Sequence, residues 1–304
     1  MTIKNQLAII LKQAAWTQEK LARELNCSFA TVNSWINGRS HPRPLSIEKI
    51  EELYKKFTGE KTLSQKELKA KYDGLLLKKH TIKNNFDLLM KRPDLYETFI
   101  LSLTYNSNKI EGSTLTEDET ASILFDNKAL LHKTLTEQLE AKNHQTALEH
   151  LFRNLKAQKI TEEWILKLHG ILMNGIRHDA GCYRNHGVRI VGSFVPTANP
   201  LKIPQLMKDL VEWINKKEKN PVHHATVVHA RFEKIHPFSD GNGRIGRLLM
   251  LAMLLKRNFP PAVIRQEKKR LYYTYLSKAQ LEEDYSLLED FIMDAIDESL
   301  EWML

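Results

Sequence analysis

Residues 244–257 read RIGRLLMLAMLLKR, and positions 248–255 within them are all apolar. A helix with no polar face belongs at the centre of a core, covered on every side by other elements. The segment before it, HATVVHARFEKI from His224 to Ile235, carries Val227, Val228 and Phe232 at helical spacing. Between the two lies HPFSDGNGRIGR, His236 to Arg247, which packs a histidine, an acid, three glycines and two arginines into twelve positions. That stretch therefore reads as a loop joining two helices, with Gly241-Asn242-Gly243 opening the second.

This placement dictates chemistry. Free backbone N–H groups at a helix N-terminus, with glycines that let a ligand come close, form an anion site. Arg244 and Arg247 sit three apart in the first turn, on one helical face. Two permanently charged forks beside an anion nest suit a polyphosphate better than a lone carboxylate. Asp240 beside phosphate calls for a cation between them, and Mg²⁺ bridges a carboxylate and substrate phosphates in that way. His236, at the end of the preceding helix, can take a proton from an attacking hydroxyl near neutral pH. The literal G-x-G-x-x-G of Gly241–Gly246, with Glu267 downstream, is not a dinucleotide fingerprint, because a helix ending in His-Pro stands where a buried strand is required.

The stretch HPFSDGNGRIGR matches the Fic family motif H-x-F-x-[DE]-G-N-G-R-x-x-R at every defined position, and the resemblance extends more loosely from about Leu95 to about Leu288. It implies an all-α catalytic domain that transfers AMP from ATP to a hydroxyl of a target protein. On that resemblance His236 is the general base, Phe238 braces the loop and Asp240 holds Mg²⁺. Asn242 and the backbone N–H groups of Gly241 and Gly243 meet the α-phosphate, and Arg244 and Arg247 bind the outer phosphates. His169 and His229 read as hydrogen-bonded core histidines. Residues 181–200, GCYRNHGVRIVGSFVPTANP, break the helical pattern, and Gly192-Ser193 suits a two-residue hairpin turn. The resemblance makes this a small β-hairpin flap that holds the target segment over the site. SNKIEG, Ser107 to Gly112, resembles the family's inhibitory pattern [ST]-x-x-x-E-[GN]. By that match Glu111 pairs with Arg247 and denies the ATP γ-phosphate its partner.

The N-terminal region reads differently. Residues 1–100 hold 18 Lys and Arg against 11 Asp and Glu, nearly the whole of the chain's net charge of +8. A basic excess at one end suits a polyanion-binding module. Thr17 and Ser28 can cap two short helices separated by Asn26-Cys27, with Leu21, Leu25, Val32 and Trp35 inward and Gly38 as the stop. The pair resembles a Cro/repressor-type helix-turn-helix. That resemblance points Asn33, Ser34 and Asn37 at base edges of duplex DNA and sets Arg39 and Arg43 near its backbone.

The expected organisation is a helix-turn-helix domain over 1–60, a helical connector over 61–94 and a Fic domain over 95–304. No apolar run is long enough to span a membrane. The N-terminus lacks a cleavage-site pattern, and two distant cysteines form no metal or disulfide framework, so a cytoplasmic location is expected. A homodimer is compatible with the sequence. Two other functions remain open at this level: a transcription regulator whose Fic domain senses nucleotide or modifies itself, and a hydrolase that removes AMP from modified targets.

Overall fold

The computed structural model describes residues 2–58, 63–156, 159–190 and 194–304. Among them the chain is all-α, with no strand. Four helices come first: α1 (Ile3–Gln13), α2 (Gln18–Glu24), α3 (Phe29–Ile36) and α4 (Pro44–Thr58). The capping expected from sequence is present: Thr17 Oγ1 accepts from Lys20 N at 3.2 Å, and Ser28 Oγ accepts from Thr31 N at 3.2 Å. Asn26 supplies a left-handed turn at φ 52°, and Gly38 ends α3 at φ 69°, where a Cβ would be strained. Leu7, Ile10, Leu21, Val32, Trp35, Ile50 and Tyr54 close a small core of their own.

The second core is larger. It gathers α5 (Gln65–His80), α6 (Asn85–Lys91), α7 (Pro93–Ile110), α8 (Glu117–Phe125), α9 (Leu135–Asn154), α10 (Glu162–Leu172), α11 (Ile203–Ile214), α12 (Pro221–Ile235), α13 (Asn242–Lys256), α14 (Lys269–Glu282) and α15 (Ser286–Met303). The apolar helix foreseen at its centre is α13, with residues 248–255 all buried and with α7, α9, α10 and α12 packed around it. Helices α5 and α6, the expected connector, bury Leu68, Leu75, Phe86 and Leu89 in this same core. Helix α5 is further tied to α15 by ion pairs from Lys71 to Asp290 and from Lys78 to Asp297. No described helix is long and apolar enough to cross a membrane.

The hairpin expected around Gly192-Ser193 has its turn outside the described residues. Its described flanks, 188–190 and 194–199, form neither helix nor strand. They do meet, because Thr197 Oγ1 donates to the Val188 carbonyl at 2.8 Å.

The two separate cores generate a stability prediction. Ile10 is fully buried in the small one. Ile10→Ala should cost about 2–5 kcal/mol there. Limited proteolysis should then release fragments from the first sixty residues while the remainder resists, and loss of protection across the whole chain would contradict independent cores.

Candidate active site

The site is assembled where α12 ends and α13 begins. His236 terminates α12 in the left-handed region (φ 51°, ψ 61°), an uncommon conformation for a residue with a side chain. The conformation persists because neighbours hold the backbone on both sides. The His236 N–H donates to the Phe232 carbonyl at 2.9 Å, and the His236 carbonyl accepts from Arg184 Nε at 2.7 Å. The imidazole Nδ1 faces the Glu233 carbonyl at 3.1 Å. A proton held on Nδ1 by that carbonyl leaves the Nε2 lone pair for a substrate hydroxyl. Burial lowers the His236 pKa, which favours the neutral ring at pH 7.

The loop after His236 is pinned by side chains that themselves make no use of solvent. Phe238 is fully buried and lies parallel to His169 at 3.7 Å between ring centroids. His169 accepts from Gly181 N at Nδ1 (2.8 Å) and meets the Asp240 carbonyl at Nε2 (3.1 Å), which fixes its tautomer. Burial carries its pKa down to about 4, so it stays neutral. Asn242 completes the loop: its Oδ1 accepts from Phe238 N and its Nδ2 donates to the Phe238 carbonyl, each at 2.9 Å. The expected contact of Asn242 with the α-phosphate is thereby left to its main chain. Its amide is spent on the loop, and only its backbone N–H remains for an anion.

Gly241 caps α13 at φ 77°, and the first intrahelical donor is Ile245 N, bonded to the Gly241 carbonyl at 3.0 Å. The N–H groups of residues 242–244 thus form the open end of the helix. Glu111, at the end of α7, lies against the first turn of that helix. A Cβ added to Gly243 would fall 2.2 Å from Glu111 Oε1, so glycine is required for the carboxylate to lie this close. The same oxygen accepts from Arg247 Nη2 at 2.7 Å. Arg247 is 8% exposed and is also held by Ser107, whose hydroxyl accepts from Nε at 3.0 Å and whose carbonyl accepts from Nη2 at 3.1 Å. Burial opposes the Arg247 charge, yet the Glu111 carboxylate holds its pKa above the ordinary arginine value. Ser107 and Glu111 are the first and fifth residues of the sextet read from the sequence, and both converge on Arg247.

Arg244 does not share that environment. It is 2% exposed, its Nη1 donates to Glu140 Oε1 at 2.7 Å, and its Nη2 lies 3.6 Å from Asp240 Oδ1. Its reach toward outer phosphates, expected from the motif, is restricted by the Glu140 pair. Asp240 is half-exposed, and its Oδ1 accepts from Gly241 N at 2.6 Å.

Several contributors escaped the sequence reading. Arg184, 3% exposed, gathers four carbonyls: His236 at 2.7 Å, His186 at 2.6 Å, Ala198 at 2.7 Å and Ile235 at 3.4 Å. Its own N–H adds a bond to the Pro237 carbonyl at 3.0 Å. The Glu233 carboxyl is buried behind His236, with Oε2 3.9 Å from Nδ1, and burial pushes its pKa up to about 8. Gly246 makes room for it, since a Cβ there would come within 2.5 Å of Glu233 Oε1. Ser239 donates to Asp179 at 2.5 Å, which anchors the middle of the loop. His229 faces the Tyr272 hydroxyl at 2.6 Å in the core, as a structural histidine should.

In the N-terminal domain Asn37 donates to Asn33, at the carbonyl (2.8 Å) and at Oδ1 (3.1 Å), while Asn33 donates to Gln18 at 3.1 Å. Ser34 and Ser40 share a hydroxyl bond of 2.8 Å, and Arg39 and Arg43 are exposed beside them. Asn33, Ser34 and Asn37 thus cluster at the end of α3, and the exposed Arg39 and Arg43 follow it in sequence.

Arg184 generates a prediction. Arg184→Ala should leave buried carbonyls unpaired and destabilise the protein by about 2–4 kcal/mol. It should also lower turnover far more than it weakens nucleotide binding, because the His236 backbone loses its clamp. Thermal unfolding and nucleotide titration of the variant check both, and an unchanged melting temperature would contradict the clamp.

Comparison with known proteins finds relatives for both parts of the chain. Residues 159–254 match the Fic/DOC family and residues 7–58 match a helix-turn-helix family. A protein adenylyltransferase Fic of Nematostella vectensis is 36% identical over 182 residues, covering 58% of this chain and 42% of that protein. One from Aedes aegypti is 33% identical over 206 residues, covering 66% and 41% respectively. The chain thus spans less than half the length of these curated relatives. A crystal structure of a Fic domain containing signaling protein from Bacteroides thetaiotaomicron superposes with a TM-score of 0.66 at 27% identity, covering 78% of this chain and 95% of that one.

Proposed function

We propose that this chain, a Fic/DOC domain behind a helix-turn-helix domain, transfers AMP from ATP to a hydroxyl of a target protein and is held inactive by its own Glu111. The observation that carries the reading is the position of one carboxylate. Glu111 Oε1 lies over Gly243 and 2.7 Å from Arg247 Nη2, on a guanidinium donor that an anionic substrate would use.

The chemistry follows from the residues around it. A Ser, Thr or Tyr hydroxyl of the target gives its proton to His236 Nε2 while its oxygen bonds to the α-phosphorus of ATP. The bond from that phosphorus to the oxygen bridging the α- and β-phosphates breaks, and pyrophosphate leaves with both electrons. The N–H groups at the start of α13 are oriented before the substrate arrives, which favours charge developing on the α-phosphate oxygens. Asp240, half-exposed and beside that helix end, fits as one hard oxygen ligand of Mg²⁺. Bound there, the ion would neutralise phosphate charge. Arg247 binds the γ-phosphate once Glu111 leaves. Both anions cannot hold Nη2 at once, so inhibition and substrate alignment compete for one donor.

The expected consequence is specific. Glu111→Gly should raise initial AMP incorporation by roughly tenfold to a hundredfold, the equivalent of one charge-assisted hydrogen bond. His236→Ala in that background should lower it again by about 10²–10⁴-fold while ATP still binds. Labelled ATP with Mg²⁺ reads both, and a Glu111→Gly rate at or below wild type would sink the inhibitory reading.

The N-terminal domain is the second part of the proposal, with duplex DNA as its partner. The polar surface of Asn33, Ser34 and Asn37 flanked by exposed Arg39 and Arg43 suits base edges and phosphates. The two free cysteines suit a reducing, cytoplasmic setting for both activities. Replacing Arg39 and Arg43 by Ala together should weaken DNA binding and reduce the slope of log affinity against log salt by about two. Gel shifts or anisotropy across a salt series measure it. An unaltered slope would remove these arginines from the interface.

A further inference from the structure

Helix α12 has two working faces. His229 and Glu233 turn toward α13, as their closeness to Gly246 shows. Arg231 and Ile235 lie on the opposite side, at 100° per residue. There they border a cleft of about 520 Å³ whose other walls are Leu206, Leu210 and Trp213 of α11 and the segment through Ala198. No residue of α13 lines it, so it is distinct from the phosphate end of the site. It is nevertheless joined to the general base. Ile235 precedes His236, Ala198 N donates to the Ile235 carbonyl at 3.4 Å, and Arg184 binds the carbonyls of both Ala198 and His236.

The lining is mainly apolar, with charge at the rim. Arg231 is exposed and stacks on Trp213, its Cζ 4.3 Å from the ring centroid. A guanidinium resting over an indole ring while exposed to solvent keeps N–H donors for a carboxylate. The other charged lining groups are already engaged: Lys234 donates to the Gln280 carbonyl at 2.8 Å, and Asp209 accepts from Gln205 at 2.7 Å. Two cations against one acid leave the cleft net positive. Phe194, 98% exposed two residues before Pro196 at the cleft wall, adds apolar surface along the same approach.

We propose that this cleft is a recognition site for the target polypeptide. It takes an aliphatic or aromatic side chain of an extended acidic segment, and Arg231 binds a carboxylate beside that side chain. The inference rests on the adenylyltransferase reading, which requires a protein segment to pass His236. The shared floor sets the spacing: Ile235 and His236 are neighbours, so about two to four extended residues separate the anchored side chain from the modified hydroxyl. Apolar anchor plus paired rim charge is the arrangement that gives a short segment both affinity and direction.

The test uses the full chain and two peptides, acetyl-Ser-Gly-Gly-Gly-Leu-Asp-Gly-amide and its counterpart with Lys in place of Asp. Tryptophan emission is followed during titration, with Trp213→Phe identifying the signal from the cleft. The acidic peptide should give a saturable change at least roughly threefold tighter than the lysine peptide, about the weight of a rim ion pair. Arg231→Glu alters an exposed side chain, leaves the core intact and should reverse that order. No saturable change, equal response to both peptides, an order unaltered in Arg231→Glu, or a signal that persists in Trp213→Phe would each overturn the proposal. AMP transfer by the Glu111→Gly variant is measured on the same preparation. Its absence, with charge-dependent peptide binding intact, would sink the enzymatic reading and leave the cleft as a peptide site.

Discussion

A guanidinium that is 8% exposed must have an anion beside it, and this requirement organises the centre of the molecule. Arg247 emerges from the first turns of α13, whose residues 248–255 are all buried, and is itself enclosed. In this structure the anion is Glu111, delivered by the end of α7 and reinforced by Ser107 one turn earlier. A phosphate chain carries the same charge to the same place. Substituting one for the other keeps Arg247 satisfied, so release of the glutamate exposes no unpaired cation as long as substrate replaces it. On the proposed function, that exchange would make self-inhibition reversible without unfolding any part of the core.

The exchange is useful only if the rest of the site stays still. Asn242 clamps Phe238, His169 stacks on Phe238 and holds the Asp240 carbonyl, and Arg184 binds the backbone on either side of the base. Each is a buried polar group whose partners are main-chain atoms. Losing one shifts the loop instead of merely trimming a side chain. His236 is thereby kept in a strained conformation with Nε2 available, which on the proposed function makes it a preorganised base that needs no rearrangement when the hydroxyl arrives.

Much of this was legible in the sequence because it is local. Thr17, Ser28 and Gly38 announce helix ends through their own backbone preferences, and the apolar run after Arg247 announces the central helix. Motif spacing placed His236, Gly243 and Arg247 around one helix end, and the sextet ending at Gly112 placed Glu111 against Arg247. What escaped is long-range. Arg184 lies 52 positions from His236 and Glu140 lies 104 from Arg244, and nothing in the local pattern of either reports its partner. Asn242 was legible as a motif residue, but spacing could not show that its side-chain amide is bonded to the backbone four residues before it. The turn at Gly192-Ser193 remains a sequence expectation, since it falls outside the described residues.

The central claim is that Glu111 and the outer phosphates compete for Arg247, and nucleotide affinity tests it most directly. Calorimetric titration of wild type and Glu111→Gln with ATP and with AMP separates the terms, because AMP lacks the phosphates that would reach Arg247. The account predicts that Glu111→Gln tightens ATP binding by roughly tenfold or more and leaves AMP affinity unchanged. Equal ATP affinity in the two proteins, or an equal gain for ATP and AMP, would contradict it.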